Sequence, residues 1–73
     1  MIGCEFSCRL KDAIEKNGLT QKQFAEIMGV SEVTISRYVT ENRYPSIDRL
    51  AKICRHLGVS ADYLLGLSEE NEY

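Results

Sequence analysis

Residues 21–38 read QKQFAEIMGVSEVTISRY, and this stretch decides the fold. Phe24, Ala25 and Met28 fall on one face of a helix. Ahead of them Thr20 and Gln23 form a capping-box pattern, in which the Thr20 hydroxyl accepts from the Gln23 amide and the Gln23 side chain reaches back. Gly29 then breaks the helix with the left-handed freedom that a tight corner needs. Ser31 serves as N-cap for a second helix from about Glu32 to Thr40. That helix buries Ile35 with Tyr38 or Val39 beside it. Ala25 is small where two closely crossing helices leave no room, and Val30 plugs the corner. Phe24, Met28, Ile35 and Tyr38 supply the shared core.

Two short helices joined by a three- to four-residue turn containing Gly make a helix-turn-helix unit. Outward from it, helical apolar spacing continues on both sides. Upstream, Phe6, Leu10, Ala13 and Ile14 mark a helix from Glu5 to Asn17, closed by Asn17-Gly18. Downstream, after an irregular stretch from Glu41 to Pro45, Ser46 caps a fourth helix carrying Leu50, Ala51, Cys54 and Leu57. Ser60 caps a short fifth with Tyr63, Leu64 and Leu65. Gly18, Gly29, Gly58 and Gly66 each follow such a stretch, where helices commonly stop. No segment alternates long enough to be a strand. The expectation is an all-α domain of five short helices over residues 5–67, with an acidic, flexible tail over 68–73.

The chain has 73 residues and a net charge of −2. That length makes one small domain with a thin core and no room for a deep substrate cavity. No apolar run approaches the roughly 20 residues of a membrane helix, and the opening residues lack the pattern of a secretory signal. Three cysteines are too few for a disulfide scaffold, so a reducing cytoplasm is the expected setting. Cys4 and Cys8 stand four apart but lack further ligands at zinc-site spacing. Cys54 reads as a small buried hydrophobe, and His56 has no nucleophile or carboxylate placed to make it a base. No metal, cofactor or catalysis is expected.

The chain resembles the lambda-repressor-like helix-turn-helix domains, also called Cro/CI or XRE type. The resemblance covers about Phe6 to Leu67. It rests on Gly18-Leu19-Thr20-Gln21, Phe24-Ala25-Glu26-Ile27-Met28-Gly29-Val30-Ser31 and Ile35-Ser36-Arg37-Tyr38, extended by Pro45-Ser46 and by Leu57-Gly58-Val59-Ser60-Ala61-Asp62-Tyr63-Leu64-Leu65. It implies a sequence-specific regulator of transcription, a repressor, that binds double-stranded DNA as a homodimer on an inverted-repeat operator. Dimerisation can be restricted to the DNA-bound state.

In such a domain the third helix lies in the major groove. With Ile35 and Tyr38 inward, its outward positions are Glu32, Val33, Thr34, Ser36 and Arg37, the expected base contacts. The Arg37 fork matches O6 and N7 of one guanine, while Val33 and the Thr34 methyl suit a thymine methyl group. Glu32 suits a cytosine amino group or the helix dipole. Phosphate contacts are expected from Thr20, Gln21, Lys22 and Gln23 at the start of the second helix, where free N–H groups attract an anion. Thr40, Asn42, Arg43 and Tyr44 are expected to meet the backbone on the other side. Leu65 and Leu67 are the expected dimer contacts.

Three features depart from the family pattern. From Thr20 to Ser46, Lys22, Arg37 and Arg43 are balanced by Glu26, Glu32 and Glu41, so the reading stretch is neutral. Glu41 and Asn42 stand where a glycine and a lysine are common. Val39 and Ile14 stand where the family often pairs a Glu with an arginine, so packing is expected to replace that ion pair. The neutral charge supports the alternative of a protein-interaction module, antitoxin-like or anti-repressor, that uses the same fold without reading DNA.

Overall fold

The structure is a computed structural model that describes residues 5–41 and 43–69. Among the described residues five helices follow one another: α1 Glu5–Lys16, α2 Gln21–Met28, α3 Glu32–Thr40, α4 Ile47–Leu57 and α5 Ala61–Leu64. No strand occurs among the described residues. The five-helix, all-α expectation therefore holds, with α1 ending one residue before Asn17.

Side chains set the helix starts. Thr20, Ser31, Ser46 and Ser60 each adopt extended backbone and accept from the N–H three residues on, satisfying an amide that has no partner inside the helix. The capping box at α2 is complete, with Gln23 Oε1 accepting from the Thr20 N–H at 2.9 Å. At the other end of α2, Gly29 sits at φ 73°, a left-handed conformation that closes the helix and turns the chain directly into α3. Helix α3 ends without such a residue. Glu41 stays at φ −107° and donates its N–H to the Arg37 carbonyl, so the loss of the family's glycine shortens no helix.

A single core gathers Phe6, Leu10, Ala13 and Ile14 of α1, Phe24, Ala25 and Met28 of α2, and Ile35, Tyr38 and Val39 of α3. Ile53, Cys54, Leu57, Val59 and Leu64 complete it. α3 packs against both α1 and α2, while α5 closes against α1 and α4. Ile14 and Val39 are both buried, so apolar packing fills the place where the family often has an ion pair. Both Tyr38 and Val39 face inward beside Ile35.

The inner face of α4 differs from the sequence reading. Ala51 is exposed, and Ile53, which that reading left out, is fully buried. The spacing Leu50, Cys54, Leu57 fits two neighbouring stripes, and the one that includes Ile53 faces the core. The cysteines divide: buried Cys54 agrees with the sequence reading, and the bond at Cys8 departs from it. Cys8 is disulfide-bonded, whereas Cys54 is a free, buried thiol. An odd count excludes full pairing but not one bond.

The chain leaves α5 along α1. Arg9 Nη1 donates to the carbonyls of Tyr63 at 2.9 Å and Ser68 at 2.8 Å, and Nη2 pairs with Glu69 at 3.0 Å. The guanidinium also lies over the Tyr63 ring, 4.6 Å from its centroid. Residues 68 and 69 are thereby held, and the remainder of the expected tail lies outside the described residues.

Candidate nucleic-acid interface

The arrangement of α2 and α3 sets one face of the molecule. α3 is anchored from behind by Ile35, Tyr38 and Val39. Ser7, the one buried polar side chain among the described residues, donates from α1 to the Tyr38 carbonyl at 2.7 Å. From α4, Arg49 Nη1 bonds the Tyr38 phenol oxygen at 3.0 Å. Sequence reading missed both Ser7 and Arg49, because a lone Ser on an apolar face and an Arg at a helix start carry no signal of their own.

A helix held this firmly on one side presents its other side as a rigid surface. Glu32, Val33 and Arg37 are exposed, and Val33 at 59% exposure lies outside the core. Arg37 has no ion-pair partner among the described residues. Thr34 and Ser36 are only partly exposed. The Thr34 hydroxyl lies 2.9 Å from Ser31 Oγ, at the N-cap.

At the start of α2, Gln21 is half-buried while Lys22 and Gln23 are exposed. Thr20 Oγ1 accepts from the Gln23 N–H at 3.0 Å, so the hydroxyl keeps its own proton for an external acceptor. The Gln23 amide oxygen is taken by the capping box, leaving its NH₂ group to donate. Free backbone N–H groups at Gln21 and Lys22 add the positive end of the helix dipole.

Beyond α3 the groups are less free. Thr40 Oγ1 donates its proton to the Ser36 carbonyl at 2.6 Å. Arg43 Nε lies 3.8 Å from a Glu41 carboxylate oxygen, and both are exposed. Tyr44 is exposed but packs its ring on Phe6, with centroids 5.3 Å apart. That contact fixes the loop and leaves the phenol outward. Asn42 lies outside the described residues. Leu65 and Leu67, at the far end near α5, are exposed and belong to a different region from the α2–α3 face.

Burial pushes the Cys54 thiol above its ordinary range, as expected of an inert core group. Among the described residues no group of three or more metal-ligating side chains converges.

The Helix-turn-helix family matches over residues 10–64. The chain is 42% identical over 67 residues to the HTH-type transcriptional regulator ImmR of Bacillus subtilis (strain 168), covering 88% of this chain and 53% of that protein. It is 34% identical over 62 residues to the uncharacterized HTH-type transcriptional regulator YobD of the same strain, covering 85% and 55%. It is 32% identical over 60 residues to that strain's SPbeta prophage-derived uncharacterized HTH-type transcriptional regulator YonR, covering 82% and 56%. The chain thus spans about half the length of the curated relatives it matches. No solved structure matches it.

Proposed function

The chain belongs to the helix-turn-helix family, and from that premise we propose that it is the DNA-reading part of a transcriptional regulator. The observation that carries this reading is the surface of α3: an exposed row of Glu32, Val33 and Arg37 on a helix whose back is pinned by three buried residues and two hydrogen bonds from other helices. A recognition element must hold its side chains in register with base edges, and rigidity supplies that.

In the proposed mechanism α3 enters the major groove. Arg37 donates its fork to one guanine, worth about 1–3 kcal/mol of discrimination. Val33 and the Thr34 methyl contact thymine methyl groups, Glu32 faces a cytosine amino group, and Ser36 sits closest to the groove wall. Gln21, with Thr20, Lys22 and Gln23, grips a phosphate at the start of α2. Arg43, Tyr44, Asn42 and Thr40 meet the backbone beyond α3, where Arg43 must leave Glu41 and Thr40 must turn from Ser36 to do so. Such contacts set register, and base contacts set sequence.

The DNA-binding stretch is neutral, so one copy binds weakly and two half-sites must be joined. We therefore assign a homodimer on an inverted repeat, with half-sites about 34–36 Å apart, acting in the cytoplasm as a repressor by occupying a promoter. No helix among the described residues is long and apolar enough to cross a membrane, and no reaction is assigned to the chain.

A second reading has two observations in its favour. The Arg43–Glu41 pair and the balanced charge suit a protein-interaction module, antitoxin-like or anti-repressor, that does not read DNA. Selection from a randomised duplex pool at low salt separates the two. Enrichment of an inverted repeat supports DNA reading; no enrichment by folded, helical protein supports the module.

A further inference from the structure

α4 and α5 leave between them a groove of about 440 Å³, floored by Ala51, Cys54, Ser60 and Ala61. At its rim Ile47 projects with 85% of its surface exposed. One face therefore holds both an apolar hollow and an apolar projection. A two-fold contact presents the same patch on both sides, so it needs both in one place.

The charges on α4 have the same self-matching order. Asp48 and Arg55 stand seven residues apart, about 10.5 Å along the helix, with Ala51 near the midpoint. Neither is in an ion pair among the described residues. If two α4 helices run antiparallel and cross near Ala51, Arg55 of each copy meets Asp48 of the other. Small Ala51 permits an interaxial distance of about 8–10 Å. The same reversal carries Ile47 of each copy to the Cys54–Ala61 end of the opposite groove.

We propose that this groove docks a second copy of the chain, α4 against α4 in antiparallel order. The inference rests on the homodimer reading given above and places the contact on α4, whereas the sequence reading placed it at Leu65 and Leu67. A patch this short makes a weak dimer, strengthened when both copies sit on one duplex.

Sedimentation equilibrium of the 73-residue chain, free and on the selected inverted repeat, tests it. Ala51→Glu adds a charge at an exposed helical position and should weaken self-association by about tenfold or more, with helicity unchanged by circular dichroism. Asp48→Arg and Arg55→Glu should each weaken it, and the double exchange should restore it. Association that ignores all these changes overturns the groove while leaving a dimer elsewhere. Failure of the double exchange to restore association overturns the antiparallel order. A wild-type chain that stays monomeric both free and on the duplex overturns the groove and the homodimer reading together.

Discussion

Ser7 Oγ donates a hydrogen bond to the carbonyl of Tyr38 at 2.7 Å, across thirty-one residues of sequence. The acceptor lies in the last turn of α3, where carbonyls run out of partners inside the helix. A side chain on α1 thus does for the end of α3 what a cap does elsewhere.

Ser7→Ala removes this donor and leaves a buried carbonyl with less satisfaction. The expected cost is about 1–2 kcal/mol, or a fall of several degrees in Tm for a domain of this size, roughly 4–8 °C per kcal/mol. Urea unfolding followed by circular dichroism measures it. A Ser7→Ala protein as stable as the parent would show that the bond contributes nothing.

Ile14 and Val39 predict an unequal double-mutant cycle. Val39→Glu alone places a carboxylate in the core and should destabilise by roughly 3–5 kcal/mol. Ile14→Arg alone should also destabilise. Together they can form the ion pair that the family often has, so the cycle should give a favourable interaction energy of about 0.5–3 kcal/mol. Additive losses would mean that the two positions do not meet.

This pair also shows what the sequence made legible. The three- and four-residue apolar steps located α1 to α3, and Ser and Thr caps located four helix starts, because both signals are local. Ile14 and Val39 could be read as packed because both are apolar at core spacing. Ala51 and Ile53 could not be sorted, since the spacing of Leu50, Cys54 and Leu57 fits either of two neighbouring stripes on α4. Ser7, Arg9 and Arg49 act across long separations, and no local pattern marks such a bond. At the candidate site, exposure of Glu32, Val33 and Arg37 followed from helical periodicity, whereas the engagement of Thr40 with Ser36 and of Arg43 with Glu41 depends on the local geometry of the helix end.

In the proposed complex Glu41, whose carboxylate lies 3.8 Å from Arg43 Nε, competes with a phosphate for that side chain. Glu41→Gln should therefore raise affinity for every duplex alike. It should also steepen the dependence of log K on log salt by about 0.9, the increment for one more neutralised phosphate. Lys22→Ala should make the slope shallower by a similar amount. Fluorescence anisotropy over a salt series reads both, and unchanged slopes would remove these residues from the phosphate contacts.

Cys54 gives a pH dependence with a definite sign. Burial raises its thiol pKa above the ordinary value, so the unfolded chain releases this proton at lower pH than the native one. Its contribution is constant below the unfolded thiol range, near 8.5. Stability then falls as pH rises from there through the elevated native value. Cys54→Ala should lose that alkaline decline in urea midpoints measured from neutral pH upward, beyond a constant offset for the smaller side chain. An identical decline in the variant would assign it to other groups.

The central claim is that α3 reads bases and the start of α2 grips the backbone. Parallel selections from one randomised duplex pool with the parent, Arg37→Ala and Gln21→Ala test it most directly. The account predicts that Arg37→Ala loses base preference at one position per half-site and keeps the rest of the motif. Gln21→Ala should keep the whole motif at lower affinity for all sequences. If Arg37→Ala selects the parental motif unaltered, or if both changes leave selection and affinity untouched, α3 is not the reading helix.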